Sequence, residues 1–452
     1  MTPTPTLERR PDSRSRRRWI EQWDPEDEVF WEASGKRIAR RNLALSIFAE
    51  HLGFNVWVLW SIVVVGLPDA GFSFTAGQVF WLISLPGLVG ALLRLPYTFA
   101  VPRFGGRRWT AVSALLLLVP TGLLAWCVSN PDTPYGLFLL AAATAGFGGG
   151  NFASSMANIS FFYPERRKGF ALGLNASGGN IGVAVVQFAV PIVVSAATGV
   201  GLAAAGLMWM PLIVLAAAGA VFFMDDLAVV RSDVRSQLVA AKRPHTWVIS
   251  VLYIGTFGSF VGYSMALPLL ISTEFPAVEV GDFAYLGALV GSVSRPVGGW
   301  LADRVGGARV TAWTFVVMGA GATGVIAGVR SGSFAMFLAS FLVLFATTGV
   351  GNGSTYRMIP AIFRATVGRA EGAVAARREA AACIGIAAAV GALGGFLVPQ
   401  ALRASLADGG SLEGAFSAFL AYYAVCLAAT WWCYLRRRAV AGFRPVLAGA
   451  TV

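Results

Sequence analysis

Long apolar stretches separated by short polar connections make up most of the chain. Twelve of them approach or exceed the roughly 20 mostly apolar residues that a membrane-spanning helix needs. They fall at 42–66, 77–101, 109–129, 135–162, 169–198, 200–224, 246–272, 281–302, 309–329, 333–363, 379–401 and 412–435. Only Thr198 and Gly199 divide the fifth stretch from the sixth. The pattern predicts an all-α integral membrane protein with twelve transmembrane helices.

Composition agrees with this prediction. Of the 452 residues, 56% are hydrophobic and 13% are charged, whereas soluble domains carry about 25% charged residues. Disordered chains have low hydrophobicity, so soluble and disordered classes are both excluded. The net charge of +12 does not indicate nucleic-acid binding, because the basic residues lie between apolar stretches and not on one soluble face.

Basic residues collect at both chain ends and at every connection that follows an even-numbered stretch. Positively charged loops stay on the cytoplasmic side, so we expect both termini to be cytoplasmic and the protein to be multi-pass in a bacterial cell (inner) membrane. After odd-numbered stretches only Arg330 and Arg403 stand out. The basic residues include Arg40, Arg41, Arg107, Arg108, Arg166, Arg167, Lys242, Arg243, Arg304, Arg309, Arg377, Arg378, Arg436 and Arg437.

Residues 85–111 are similar to residues 286–312 at a constant offset of 201, and the matches include Arg94 with Arg295 and Gly106 with Gly307. Two six-helix halves in the same orientation are the parallel-repeat architecture of major facilitator transporters. This predicts a basic cytoplasmic N-terminal segment, two six-helix halves, a cytoplasmic linker between the halves and a cytoplasmic tail. The boundaries, in chain order, are 1–41, 42–224, 225–245, 246–435 and 436–452.

Arg94 and Arg295 lie deep inside the second and eighth stretches. Arg94 precedes Arg107 by 13 residues, or about 20 Å along a helix. Intramembrane charges are costly and usually functional. The alternatives are snorkelling, which this depth disfavours, and pairing with a structural carboxylate, which the neighbouring stretches lack at their centres. Two arginines facing each other across a central cavity predict a site for a small oxyanion, because guanidinium groups bind such ions through paired hydrogen bonds.

Motifs of soluble enzymes are absent from the sequence. It contains neither a Walker A motif nor a GxGxxG turn, only two histidines, and four cysteines without metal-ligand spacing. An integral-membrane enzyme acting on a phosphorylated lipid would need metal-binding carboxylates or a nucleophile–base pair. We therefore expect no enzyme activity, no catalytic residue, no cofactor and no metal.

Two segments carry the most specific pattern, GNFASSMANISFFYPERRKGFALGLNASGGNIGV at 150–183 and GIAAAVGALGGF at 385–396. The first closely resembles the helix 4–5 region of the NarK-type nitrate/nitrite porter family, and the second is similar to the second signature of that family. The segments at 20–43, 90–111, 252–260 and 351–363 also resemble it. The resemblance covers essentially the whole chain.

This resemblance implies that the protein spans the lipid bilayer and transports nitrate and nitrite across it. It also implies that Arg94 and Arg295 together bind the ion. It implies that Tyr253 hydrogen-bonds to the ion and that Asn180 lies at the site. It further implies that aromatic rings line the pocket and confine a planar anion, and these are Phe54, Phe152 and Phe257. We expect the protein to act as a monomer.

Three departures from the family pattern leave the mechanism open. Ala176 replaces a signature glycine, Arg357 stands where a neutral amide is familiar, and Glu50 and His51 stand where apolar residues are familiar. Nitrate/nitrite exchange by alternating access is the leading hypothesis. Proton-coupled nitrate symport through Glu50 is the alternative, because buried acids often carry protons in transporters. A structural Glu50 that pairs with His51 or with another helix would favour exchange.

Overall fold

The computed structural model describes residues 19–228, 234–407 and 410–436. Parts of the predicted N-terminal segment, linker and tail, including Arg437, lie outside these ranges. The described chain forms twelve consecutive long helices. These are α1 (Glu28–Gly66), α2 (Ala76–Phe104), α3 (Gly106–Ser129), α4 (Tyr135–Phe162), α5 (Glu165–Ala196), α6 (Gly201–Phe223), α7 (Pro244–Glu274), α8 (Val280–Val305), α9 (Gly307–Arg330), α10 (Phe334–Glu371), α11 (Ala373–Leu406) and α12 (Leu412–Leu435).

Eleven of these helices are long and apolar enough to cross a membrane. The remaining one, α8, has 26 residues, which at 1.5 Å per residue is long enough to cross the hydrocarbon layer. It includes the charged residues Asp282, Arg295, Asp303 and Arg304, which lower its mean hydropathy. The predicted all-α membrane fold is confirmed.

Glycines with positive φ separate several of the helices. Gly105 and Gly306, with φ of 90° and 94°, end α2 and α8 at matching positions of the internal repeat. Gly199, with φ of 84°, lies in the turn between α5 and α6, where the sequence predicted a break. Glycine adopts this backbone conformation without the steric penalty that a side chain would bring. The repeated corner shows that both halves enter their third helix in the same way.

The first helix begins earlier than the apolar pattern predicts. Asp27 accepts hydrogen bonds from the backbone amides of Val29 and Phe30 and thereby caps the helix at Glu28. Such a cap satisfies amides that have no partner within the helix. The predicted segment 1–41 therefore contains the first turns of α1, and a hydropathy pattern misses them because they are polar.

Residues 19–35 form a brace against the first half. Trp19–Ile20 (β1) pairs in parallel with Asp226–Leu227 (β2), just after α6. The indole of Trp23 donates to the carbonyl oxygen of Phe161 at 3.1 Å. Trp31 packs on Tyr163 with ring centroids 5.6 Å apart. These contacts join the brace to the end of α4, to the α4–α5 connection and to the linker.

The linker between the halves is anchored at both ends. Asp226 accepts from the backbone amide and the Nε of Arg107 at 2.9 and 3.2 Å, which holds it to the α2–α3 corner. At the other end Arg243 forms ion pairs with Glu371 and Glu379 of the second half. Within the predicted linker 225–245, Val234–Ala241 forms a short helix.

The two halves pack most closely at the end of the bundle away from the chain termini, which we call the opposite end. A Cβ added to Gly87 of α2 would lie 2.4 Å from the carbonyl carbon of Gly395 of α11. Nearby, Gln400 donates to the hydroxyl of Ser84 at 2.7 Å. Gln187 of α5 likewise donates to a backbone oxygen of α7 at 2.6 Å. The opposite end is therefore closed by direct contact between the halves.

The first ten residues of α5, 165–174, show a contrasting environment at the terminal end, where α1 begins and α12 ends. Phe170 is 77% exposed, and a Cβ on Gly169 or Gly173 would meet nothing within 4 Å. The buried residues of α5 therefore lie mostly between Asn175 and Val190.

Candidate functional site

Arg94 is fully buried and contacts both halves. Its Nε donates to the carbonyl oxygen of Gly149 in α4 at 3.2 Å, and a terminal nitrogen donates to that of Ala388 in α11 at 2.7 Å. The other terminal nitrogen is buried without a hydrogen-bond partner. Leaving a buried charged donor unpaired costs free energy. This nitrogen is therefore free to bind an anion.

Three aromatic rings surround the Arg94 guanidinium. Its central carbon lies 4.6 Å from the ring centroid of Phe152, 5.1 Å from that of Phe257 and 5.3 Å from that of Trp57. The negative faces of aromatic rings attract cations, which partly compensates for the loss of water. In the described part of the chain, Arg94 forms no ion pair.

Arg295 occupies the corresponding place in the second half. It is buried, its guanidinium carbon lies 5.2 Å from the ring centroid of Tyr356, and one terminal nitrogen has no partner. Aromatic rings connect it to Arg94. The Arg94 guanidinium lies over Phe257, Phe257 stacks on Tyr253, and Tyr253 packs on Tyr356 beside Arg295. The structure thus brings one guanidinium from each half to a common site.

The aromatic residues named from the sequence lie in one continuous series of ring contacts. Phe54 contacts Phe152 at a centroid distance of 6.1 Å, Phe152 stacks on Phe257 at 6.2 Å, and Phe257 stacks on Tyr253 at 5.3 Å. Because Phe152 belongs to the first half and Phe257 to the second, the series crosses the interface beside Arg94.

Tyr253 and Asn180 have different hydrogen-bonding environments. The Tyr253 hydroxyl donates to the side-chain oxygen of Asn352 at 2.7 Å. Asn180 is buried, and its side-chain oxygen has no partner. Sequence reasoning did not assign Asn352, Tyr356 or Trp57 to the site. Asn352 and Tyr356 lie one helical turn apart within 351–363, a segment that resembles the family. This spacing was the feature of the sequence that could have indicated them as site residues.

Glu50 is bound to neighbouring helices and not to His51. One carboxylate oxygen accepts from the amide nitrogen of Asn175 at 2.6 Å and from the hydroxyl of Ser155, while the other oxygen has no partner. His51 instead contacts the carbonyl oxygen of Gly178 at 3.1 Å. The carboxylate interacts electrostatically with both Arg94 and Arg295. Glu50 therefore belongs to the charge balance of the site.

A small polar cleft adjoins Glu50 within the first half. Hydroxyl groups from α1, α3 and α4 line it, and these belong to Ser46, Thr110, Ser113, Ser154 and Ser155. The amide oxygen of Asn151, also in its lining, has no hydrogen-bond partner. The Glu50 carboxyl group therefore lies beside hydroxyl groups from three helices.

The other two departures from the family pattern have simple structural settings. Ala176 is fully buried in α5, as a small residue can be at a close helix contact. Arg357 forms an ion pair with Asp303 of α8, and both side chains are about half exposed. Arg357 therefore joins α10 to α8 and does not lie in the buried site.

The described residues contain no group of three or more His, Cys, Asp or Glu side chains that could hold a metal ion. The site contains two buried guanidinium groups, uncharged hydrogen-bond donors and aromatic rings. Such an arrangement can bind a small anion through electrostatic attraction and hydrogen bonds.

Comparisons with known proteins agree with this chemistry. The chain matches the family model of the Major Facilitator Superfamily over residues 43–399. It is 43% identical over 446 residues to the nitrate/nitrite transporter NarU of Escherichia coli (strain K12), covering 93% of this chain and 96% of that protein. It is 36% identical over 449 residues to the probable nitrate/nitrite antiporter NarK2 of Thermus thermophilus, covering 93% and 97%.

Solved structures share the fold at low sequence identity. A bacterial homolog of the human lysosomal transporter Spinster superposes with a TM-score of 0.61 at 14% identity, covering 86% of this chain and 96% of that one. The nucleoside transporter NupG gives the same TM-score at 10% identity, covering 86% and 99%.

Proposed function

We propose, from the premise that the chain belongs to the Major Facilitator Superfamily and to its NarK-type nitrate/nitrite porters, that it transports nitrate and nitrite. The finer proposal is exchange of nitrate for nitrite by alternating access, with the anion held between Arg94 and Arg295. The observation that supports it most is the pair of buried guanidinium groups, one from each half, that each keep one nitrogen without a partner.

The geometry also supports alternating access around this pair. Arg94 already contacts both halves, and Phe152 and Phe257 stack across the interface next to it. In parallel-repeat transporters the substrate site lies between halves that rock around it. If the terminal end is cytoplasmic, as the basic connections predict, this structure corresponds to a state that is closed on the extracytoplasmic side.

The charge balance favours exchange. The two guanidinium groups give the empty site a net charge of +2, or of +1 while Glu50 is ionised, and a bound monovalent anion lowers that charge by one. A buried, uncompensated charge is expensive, so reorientation should be slow when the site is empty and fast when it is loaded. Such a transporter exchanges anions without net uptake.

Proton-coupled symport is the second candidate, and the observation that favours it is that the Glu50 carboxyl group is fully buried within electrostatic range of both arginines. Protonation would remove its negative charge and strengthen anion binding. The two donors on one carboxylate oxygen, from Ser155 and Asn175, are the environment that an ionised acceptor prefers. We therefore favour a Glu50 that serves as a fixed counter-charge.

Proteoliposomes distinguish the two mechanisms. Exchange predicts that labelled nitrate enters only vesicles preloaded with nitrate or nitrite and that a pH gradient has little effect. Nitrate accumulation in vesicles without internal anion, driven by an imposed proton gradient, would support symport and contradict exchange. No movement of either anion under any condition would contradict the proposed function itself.

A further inference from the structure

Three buried hydrogen-bond donors at the anion site have no acceptor among the residues that the structure describes. Two are terminal nitrogens of Arg94 and Arg295, and the third is the hydroxyl of Tyr356 on α10. An unpaired buried donor costs free energy that a bound acceptor can recover. Nitrate and nitrite are hydrogen-bond acceptors without donors of their own, so the site contains one more donor than the two arginines supply.

The Tyr356 ring is held in place beside both arginines. The guanidinium carbon of Arg295 lies 5.2 Å from its centroid, and the ring of Tyr253 packs against it at 5.1 Å. The Tyr356 hydroxyl also interacts electrostatically with Arg94 as well as with Arg295. It is therefore a preorganised donor within the field of both cations.

The neighbouring phenol does not offer its proton in the same way. The hydroxyl of Tyr253 donates to the side-chain oxygen of Asn352 at 2.7 Å. Asn352 lies one helical turn before Tyr356 on the same face of α10. Asn352 thus accepts the proton of Tyr253. The Tyr356 hydroxyl has the Tyr253 hydroxyl as a polar neighbour, and no described residue accepts its proton in hydrogen-bonding geometry.

We propose, building on the proposed function, that the Tyr356 hydroxyl donates the third hydrogen bond to nitrate and thereby favours nitrate over nitrite. Nitrate has three oxygens, so Arg94, Arg295 and Tyr356 can each bind one. Nitrite has two oxygens, and when the arginines bind both, only the lone pair of its nitrogen points toward the third position. This acceptor lies one bond length farther from the Tyr356 hydroxyl than the third oxygen of nitrate, so the hydroxyl makes no hydrogen bond of normal length to nitrite. A site built around a hydrogen bond discriminates against ligands that cannot complete it.

Tyr356→Phe tests this proposal, because it removes the hydroxyl and keeps the ring that Arg295 contacts. Counterflow in proteoliposomes would measure half-saturating concentrations of nitrate and nitrite. We expect the value for nitrate to rise about tenfold, the scale of one hydrogen bond to a charged acceptor. The value for nitrite should change by less than about twofold, because little is lost where no bond is made. Tyr422→Phe is the control. Tyr422 is not one of the site residues, and its hydroxyl donates to the backbone oxygen of Val251.

Two outcomes would overturn the proposal. An equal rise for both anions would mean that the hydroxyl only supports the fold, and no change for either would mean that it does not contact the ion. Half-saturating concentrations do not depend on the amount of folded protein, so a folding defect does not imitate the expected result. Tyr356→Leu should raise the ratio of the half-saturating concentration of nitrate to that of nitrite, as Tyr356→Phe does. A parent protein that moves neither anion would instead disprove the underlying function.

Discussion

Arg94 of the first half donates a hydrogen bond to the carbonyl oxygen of Ala388 in the second half, at 2.7 Å. The same guanidinium has its remaining nitrogen unpaired. One side chain therefore joins α2 to α11 and also presents a donor to the proposed anion. Because an anion would draw on the same group, binding and the contact between the halves should be energetically linked.

Replacing either arginine by lysine should nearly abolish transport of both anions. Arg94→Lys and Arg295→Lys keep the positive charge but lose the planar array of donors, which lysine cannot reproduce. We expect at least about a hundredfold lower counterflow, consistent with the loss of two charge-assisted hydrogen bonds. Arg330→Lys, at an exposed ion pair with Glu413, is the matched control. Near-normal exchange by either site variant would refute the two-arginine site.

Truncating the stacked aromatics should weaken selectivity for planar anions. Phe152→Ala and Phe257→Ala remove two of the three rings around Arg94 and widen the space between the halves. Competition with chloride during nitrate counterflow would measure the effect, and we expect chloride to compete several-fold better. Phe222→Ala, at a 60% exposed position of α6, should behave like the parent. Unchanged discrimination in both site variants would reduce these rings to packing residues.

Glu50→Gln tests the fixed counter-charge. The substitution removes the ionisable carboxyl group while it retains an oxygen that can accept from Ser155 and Asn175. We expect exchange to continue, with tighter anion binding and slower return of the empty site, because the site then has two uncompensated cations. Glu413→Gln, outside the site, is the control. Loss of proton-driven nitrate uptake in Glu50→Gln alone would show that Glu50 carries a proton.

Gly87→Ala should hinder closure at the opposite end of the bundle. The added Cβ would lie 2.4 Å from the carbonyl carbon of Gly395 and 2.6 Å from its oxygen, and backbone atoms cannot move aside as a flexible side chain can. We expect counterflow to slow by about tenfold, since overpacking of this kind typically costs 1–3 kcal/mol. Gly77→Ala on the same helix adds a Cβ whose nearest neighbour is 4.0 Å away. Equal rates for the two variants would contradict a contact that matters for the cycle.

Trp23→Ala should destabilise the brace before α1. Trp23 donates to Phe161 and packs edge-on against Phe30 and Phe162. Removing a large buried aromatic side chain commonly costs about 3–5 kcal/mol, so the thermal transition of the purified protein should fall by several degrees. Val29→Ala, at an 80% exposed position of the same segment, is the control. An unchanged transition for Trp23→Ala would show that the brace does not contribute to stability.

The brace shows that a hydropathy pattern does not predict where α1 begins. Residues 28–41 are too polar to be counted as a membrane span, yet they continue α1 without a break. Their helix depends on the Asp27 cap and on packing of Trp31 against Tyr163, more than one hundred residues away in sequence. Similarly, α10 runs eight residues past its apolar stretch, to Glu371, and turns at Gly372.

Glu50 illustrates the same limit within the membrane. The sequence placed a carboxylate one turn before Phe54 but left its partner open between His51 and another helix. The partners are Ser155 and Asn175, contributed by α4 and α5. Choosing among polar partners requires knowing which helix faces are opposed, and spacing along one helix does not contain that information.

The sequence alone determined the all-α membrane fold, the internal repeat and the burial of Arg94 and Arg295. These properties depend on apolar length, on charge position and on the cost of charges in lipid, all of which are readable along a single chain. Only the tertiary structure decided that Arg94 bonds to the second half, that Asn352 occupies the Tyr253 hydroxyl and that Tyr356 keeps a free donor. Each of these depends on which atoms from distant segments lie within hydrogen-bond distance of one another, and that is set by how the helices pack.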